Sequence, residues 1–469
     1  MSFSGPANFR TSAARALADE PLQQELARFS RGFQVKRVEA ASRLPEFEAL
    51  RDRARDIKNH CLAHLDFYLE RFEENCRAAG GEVHWCATAG DAREAILAIC
   101  RRLGAKTMAK GKSMVSEEIG LNEFLAENGV RAVETDLGEY ILQLRGESPS
   151  HIVAPAIHVA TEQWTEAFRA AHTDRPADRS LSDGSEIMAE ARAVLRDEFL
   201  GADVGLTGAN FLIAETGSSV IFTNEGNGDL SQTLPRAHIV IAGIEKVIPT
   251  LEDLSVFMRV LPRSATGQEL TVYTTLSTGP RRAGDLDGPE EYHVVLLDNG
   301  RADMLGGEFQ DMLRCIRCAA CMNACPVYKQ IGGHAYGWVY PGPMGAVLTP
   351  GLRGVEEAGH LPNASTFCGK CEEVCPVRIP LPRMMRHWRE REFSRRLSPA
   401  KFRYGLSMWA FFAARPALYR LFAAIAAKVL GGRRRWRRLP FAGGWTGTRD
   451  FPATEGRSFM SLWRAGRRR

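Results

Sequence analysis

The feature that most restricts this chain is the placement of its cysteines. Eleven occur in 469 residues, and seven of them crowd between positions 315 and 375. The first four read Cys315-Ile-Arg-Cys318-Ala-Ala-Cys321-Met-Asn-Ala-Cys325-Pro326. The other three read Cys368-Gly-Lys-Cys371-Glu-Glu-Val-Cys375-Pro376, repeating the end of the first run with its proline. The remaining four, Cys61, Cys76, Cys86 and Cys100, are scattered through helix- and strand-like segments. An odd count argues against a disulfide framework, as does an opening (MSFSGPANFRTSAARAL) with no apolar leader segment. The seven clustered thiols have the spacing of metal ligands.

Two residues between thiolates let a tight turn wrap three corners of one iron–sulfur cubane. The fourth thiolate, three residues on and followed by a helix-ending proline, points to another cluster. Zinc also takes C-x2-C pairs but does not need four cysteines in one run. By this cross-over rule Cys315, Cys318, Cys321 and Cys375 hold cluster one. Cys325, Cys368 and Cys371 hold cluster two, which is one thiolate short, and Ser365 stands where the missing cysteine would be. That corner can be filled by Ser365, by water or by a partner's residue, or be vacant in a three-iron cluster. An open corner could also bind substrate as a Lewis acid. The expectation is an electron-transfer protein with two [4Fe-4S] clusters. The second would have a non-cysteine fourth ligand or be a [3Fe-4S] centre. Between the runs, residues 332–343 are rich in glycine and aromatics and read as an ordered loop, whose aromatics either shield a cluster or simply pack.

Upstream, residues 12–30 and 46–79 have helical periodicity, which places Cys61 and Cys76 on one long helix as small hydrophobes. Strand- and helix-like stretches then alternate. Residues 81–88, 106–111, 131–136 and 151–157 read as strands, and 91–104 and 117–129 as helices. The alternation implies βαβ units round a mostly parallel sheet, and residues 290–300 supply its last strand. No Gly-rich dinucleotide fingerprint stands out, so no NAD or flavin is expected. Two stretches resemble ligand loops. Lys110-Gly111-Lys112-Ser113 precedes a helix expected to open near Ser116, and is either an anion site or a capped helix behind solvated lysines. Glu215-Thr216-Gly217 and Asn224-Glu225 flank a strand, and form either a pocket or the turns of a β-hairpin.

Charge is unevenly shared. Residues 383–469 hold 22 Lys/Arg against 4 Asp/Glu, so this tail is +18 and the rest is −13. Such a tail docks on something acidic: its own body, a partner subunit, anionic lipid or nucleic acid. Residues 402–430 are strongly apolar but broken by Arg415-Pro416, which predicts two helices lying on a membrane surface or a partner. Nucleic acid ranks lower, since nothing else in the chain resembles a nucleic-acid module. No run of about 18 apolar residues appears, so a spanning helix is not expected. The expected location is the cytoplasm, with contact at the inner face of the membrane as an option.

Taken together, KGKSMVSEEIGLNEFL, ETDLGEYILQL and AETGSSVIFTNEGNGDLSQTLP, followed by CIRCAACMNACPVY and CGKCEEVCPVRIPL, resemble the lactate-utilisation protein B family. The resemblance implies an iron–sulfur subunit that works with two other lactate-utilisation subunits to oxidise L-lactate to pyruvate, the electron acceptor being left open. It also implies an N-terminal α/β domain (LUD) similar to CoA transferases and ribose-phosphate isomerases, and a second cysteine run that lacks its first position throughout the family. The expected organisation is N-terminal helices over 1–80, the α/β domain over 81–302, a helical ferredoxin-like two-cluster domain over 303–395, and a basic helical tail over 396–469. Lys112, Glu215, Thr216, Gly217, Asn224 and Glu225 are the candidate pocket residues. Two further readings stay open: a self-contained 2-hydroxy-acid oxidoreductase with substrate in the α/β domain, and a redox-sensing interaction protein.

Overall fold

The computed structural model describes residues 3–431, 435–436, 446, 450–452 and 454–466. It divides into two compact units, Met1–Glu392 and Phe393–Arg469.

In the first unit, strands β1 (Glu82–Cys86), β2 (Thr107–Lys110), β3 (Arg131–Glu134), β4 (Val204–Gly208), β7 (Ala237–Gly243) and β10 (Glu291–Leu297) form a six-stranded sheet. Its order is β1-β10-β7-β4-β2-β3 and every pair is parallel. A parallel sheet covered on both faces needs continuous apolar strands. The interior ones comply: every residue of β7 is buried, as is every residue of β10 after Glu291. A smaller sheet, β8-β5-β6-β9, combines β5 (Phe211–Ile213), β6 (Ser218–Thr223), β8 (Val247–Ile248) and β9 (Tyr273–Ser277). The loops after β2, β3, β4 and β7 gather at the carboxyl ends of the parallel strands, where open α/β sheets place their ligand crevices.

The N-terminal helices divide more than the periodicity implies. The expected helix over 46–79 is two, Phe47–Ala63 and Leu65–Ala78, separated by His64 at φ −134°. Cys61 and Cys76 are fully buried on them, and burial pushes their thiols up to about 11 and about 12. Residues 117–129 likewise split, into Met114–Glu118 and Leu121–Glu127, at left-handed Gly120. The first of these is capped by Ser113, which accepts from the Ser116 N–H, so the helix opens earlier than expected at Ser116. Residues 151–157 are not a strand. Nδ1 of His151 accepts from the backbone N–H groups of Val153 and Ala154, and Pro155 has no N–H to give a ladder.

Past β10 the chain forms short 3-10 and α-helical turns and two longer helices, Gly342–Arg353 and Leu381–Ser394, rather than further sheet. Helix Phe47–Ala63 joins this region to the α/β body. Its Arg51 donates to the carbonyls of Cys375 (2.8 Å) and Glu373 (2.5 Å), and its Lys58 donates to the carbonyl of Glu245.

In the second unit Ala400–Ala413 and Pro416–Leu430 meet at a 111° bend at the expected proline. Their large apolar side chains, among them Trp409, Phe422 and Val429, are exposed. No single helix among the described residues is long and apolar enough to cross a membrane. Residues 432–434 and 437–440 of the basic run lie outside the described residues.

Candidate cluster sites and the adjoining cavity

Each cysteine run folds by the same local plan. The residue before the second cysteine, Arg317 or Phe367, has φ of 58° or 54°, and the residue after it, Ala319 or Gly369, has φ of 61° or 81°. Left-handed conformations are costly for non-glycine residues and persist where the surroundings over-determine them. A short helix follows in each case, Ala320–Ala324 or Lys370–Glu373. Each run then ends in Cys-Pro, where a backbone N–H reaches back to the last sulfur: Tyr328 to Cys325 (3.5 Å) and Ile379 to Cys375 (3.4 Å).

The seven thiols line two cavities. Cys315, Cys318, Cys321 and Cys375 surround one of about 20 Å³, with Met312, Met344 and Leu381 among its apolar walls. Cys325, Cys368 and Cys371 surround another of about 30 Å³, and Ser365 lies on its wall. The crossing-over of the fourth cysteines is thus a property of the backbone. Burial first, then neighbouring thiols, pushes Cys318 and Cys371 up to about 12. Four thiolates lining one buried cavity repel each other unless a cationic centre neutralises them, and thiolate donors suit iron–sulfur clusters. The donor set of the first cavity fits a four-iron cluster. The second offers three thiolates and the Ser365 hydroxyl, which accepts from the Phe367 N–H at 3.1 Å.

A third cavity, of about 210 Å³, opens at the carboxyl ends of β2, β3, β4 and β7. Of the candidate pocket residues, Lys112, Asn224 and Glu225 line it. Glu215, Thr216 and Gly217 do not. They form the turn of the β5–β6 hairpin, where Glu215 caps the Leu251 N–H and Thr216 bonds Ser218. The six-residue strand β6 carries the chain away from that turn, roughly 20 Å at ~3.3 Å per residue, before it reaches Asn224. The Lys110-Gly111-Lys112 motif also divides. Lys110 is buried against Glu117 (2.6 Å) and Glu134 (2.5 Å), whereas half-buried Lys112 donates to the carbonyl of Val153 at 2.8 Å. Burial works against the Lys112 charge, but Asp136, Glu139 and Glu225 outweigh it and hold its pKa above the ordinary value.

Two further cations of this cavity escaped sequence reasoning, Lys246 after β7 and Arg317 inside the first cysteine run. Arg317 hid as a spacer residue, and Lys246 as one charge in a polar turn. Behind them lies a buried ion network. Arg301 pairs with Glu118 (2.7 Å) and Glu245 (2.8 Å), the Tyr340 hydroxyl donates to Glu118 (2.6 Å), and Arg317 reaches Glu245 at 3.3 Å. Burial opposes the Glu245 charge, but Arg301 foremost holds its carboxyl down at about 2. Burial, then Arg317, lowers Lys246 to about 7. The network joins the α/β body to the cysteine-bearing region.

Known proteins resemble the chain along its whole length. Residues 69–297 match the LUD domain, 311–379 the 4Fe-4S dicluster domain, and 395–467 the family described as lactate utilisation protein B, C-terminal. Lactate utilization protein B of Bacillus licheniformis is 41% identical over 99% of this chain and 98% of its own length. The protein of the same name from Bacillus subtilis is 40% identical over 98% and 96%. An uncharacterized electron transport protein of Escherichia coli, YkgF, is 39% identical over 97% and 96%. Among solved structures, a DUF162 family protein from Deinococcus radiodurans matches with a TM-score of 0.26 and 15% identity, over 50% of this chain and 98% of that one.

Proposed function

Because the chain belongs to the lactate utilisation protein B family, we propose that it is the iron–sulfur electron-transfer subunit of a three-protein system oxidising L-lactate to pyruvate. The observation that carries this reading is the division of seven cysteines between two adjoining cavities, four and three. We assign Cys315, Cys318, Cys321 and Cys375 to one [4Fe-4S] cluster, and Cys325, Cys368 and Cys371 to a second whose remaining corner faces Ser365. Bound clusters of this kind supply one-electron transfer, so two in series suit a relay between a two-electron donor and an acceptor.

The protein's own residues prepare the two sites differently. At the first, Arg51 and Arg37 donate to the carbonyls of Cys375 and Val374, so positive charge lies behind the fourth cysteine. At the second, Tyr336, Phe367 and Met385 line the cavity, while Cys368 is exposed. The exposed helical pair after Phe393, with Arg403, Arg415, Arg420 and Lys428 among its cations, is the surface proposed to meet a partner subunit or an anionic membrane face.

Anaerobic purification with iron and sulfide analysis and EPR tests the proposal, before and after L-lactate is added with and without the two partner proteins. The expected result is about eight irons per chain, as two four-iron cubanes require, reduced by lactate only when the partners are present. About seven irons with an oxidised-state three-iron signal would leave the Ser365 corner vacant. Zinc in place of iron would end the electron-transfer reading.

A further inference from the structure

The cavity at the carboxyl ends of the parallel strands shares a wall with the first cysteine cavity: Ile152, Arg317 and Cys318 line both. Whatever occupies it lies beside a proposed cluster ligand. Its polar groups are unevenly distributed. Asp136 and Glu225 stand where it meets a wider cleft of about 1150 Å³, which shares Asp136, Val153, Asn224, Glu225 and Asn227 with it. Lys112 lies among those carboxylates and is already bonded to the Val153 carbonyl.

The shared wall is cationic and incompletely satisfied. Lys246 is 5% exposed, and its ammonium makes no hydrogen bond or ion pair among the described residues. Nη1 of Arg317 is buried without a hydrogen-bond partner, as is the Thr223 hydroxyl. The side chain of Arg317 is 10% exposed. Glu245, the nearest carboxylate, is engaged by Arg301, and by Arg317 through Nη2 alone. A buried guanidinium N–H without an acceptor is costly, and with the unpaired ammonium of Lys246 on the same wall it makes a place suited to an anionic oxygen. The other walls combine apolar Ile221, Phe222 and Leu261 with the amides of Asn210 and Gln268, which suits a small organic molecule with an apolar end and one or two polar groups.

We propose that this cavity binds a small 2-hydroxy- or 2-oxo-monocarboxylate, its carboxylate between Lys246 and Arg317 at the wall shared with Cys318. The naming of the acid rests on the lactate-oxidation reading above, whereas the carboxylate rests on the cavity alone. The chain is then a substrate- or product-binding subunit as well as a conductor.

The test uses the full-length, cluster-loaded chain without partner proteins or acceptor, so that nothing turns over. L-lactate, pyruvate and the uncharged isostere lactamide are titrated by calorimetry and by thermal shift, which reports binding to the folded state. Lactate or pyruvate is expected to bind once per chain, with lactamide at least about tenfold weaker. Lys246→Met removes an ammonium that holds no protein partner. It should keep the iron content and visible spectrum and weaken the acid at least about tenfold, while Lys246→Arg restores part of the affinity. No binding of either acid at about 10 mM overturns the proposal. So does equal binding of lactamide, or wild-type affinity in Lys246→Met with its clusters intact. Reduction by lactate with partners present, but no binding to the isolated chain, sinks this inference and leaves the relay standing. Binding without any reduction does the reverse.

Discussion

The cavity around Cys315, Cys318, Cys321 and Cys375 is set against Arg51, Arg37 and Arg317, with an ion network behind it. The cavity around Cys325, Cys368 and Cys371 is set against Phe367, Tyr336 and Pro382, and its Cys368 is exposed. Both are shaped by the same pair of left-handed residues and the same Cys-Pro ending. The difference teaches that the ligand spacing defines a holder, while its surroundings define how that holder is used. One site is anchored on both sides by the α/β body and helix Phe47–Ala63. The other lies where solvent, oxygen or a partner arrives first. Arg389 covers its Phe367 at 4.2 Å and donates to the Ser365 carbonyl at 2.9 Å, so even its cation serves the loop.

The sharpest way to break this comparison is to remove one thiol from each side. Cys321→Ala is expected to lose the first cluster, about half the iron, and much of the soluble yield, because that cluster is enclosed by the core. Cys368→Ala should lose iron only from the second site and melt within a few degrees of the parent. Iron analysis and thermal melts decide it, and equal losses would mean the two sites are not distinct in their anchoring.

The next effect comes from the network behind the first cavity. Arg301→Ala leaves buried Glu118 without a cationic partner and Glu245 with Arg317 alone, and should cost about 3–5 kcal/mol in denaturant melts. The exposed pair Arg353–Glu357, at 2.8 Å, should cost less than about 1 kcal/mol when broken by Arg353→Ala. A small loss at Arg301 would show that the network does not join the two regions.

A pH dependence follows from His151, which sits between them. Its Nδ1 accepts two backbone N–H groups and its Nε2 faces the Asn323 carbonyl oxygen at 3.0 Å, so Nε2 carries the proton. Burial lowers its pKa from 6.5 to about 3, and burial likewise lowers His238 to about 3. Below the unfolded value of about 6.5 the unfolded chain binds protons that the folded chain refuses. Stability should therefore fall as pH drops from about 6.5 towards 3, by up to about 1.4 kcal/mol per pH unit for each group. Urea melts at several pH values measure the slope, and His151→Gln should reduce it by one proton's share. An unchanged slope in that variant would place the uptake elsewhere.

The smallest change in stability is expected from Ser365→Cys, yet it should sharpen the comparison most directly. A fourth thiol at the second cavity completes the repeat of the first. Any three-iron EPR signal should disappear, and bleaching in air should slow severalfold. Bleaching at the parental rate would mean that exposure at Cys368, not the open corner, makes this site labile.

Parts of this molecule could be read directly and parts could not. The parallel sheet was visible in the alternation of strands and helices, though its interior strands β4 and β7 were not among those expected, and the helix break at Pro416 was visible because proline cannot continue the backbone ladder. The strand expected at 151–157 failed because a side chain, His151, took the backbone N–H groups that a ladder would have used. Glu215 and Glu225 lie ten residues apart in sequence and either could have faced a pocket. The β5–β6 hairpin sent one to a surface turn, and the packing round the far end of β6 sent the other to the cavity.

The sequence by itself determined the identity of the thiols, the spacing within each run and the punctuation by proline, because ligand spacing and proline geometry act over a few residues and need no partner. Only the tertiary structure decided that Lys246 and Arg317, 71 residues apart, would meet at a wall shared with Cys318. The same is true of Arg301, which closes a network between Glu118 and Glu245. The physical reason is that a lone buried charge is intolerable and must find its counter-charge across the fold. Which carboxylate answers it depends on how sheet, helices and cysteine loops pack, and no local pattern encodes that.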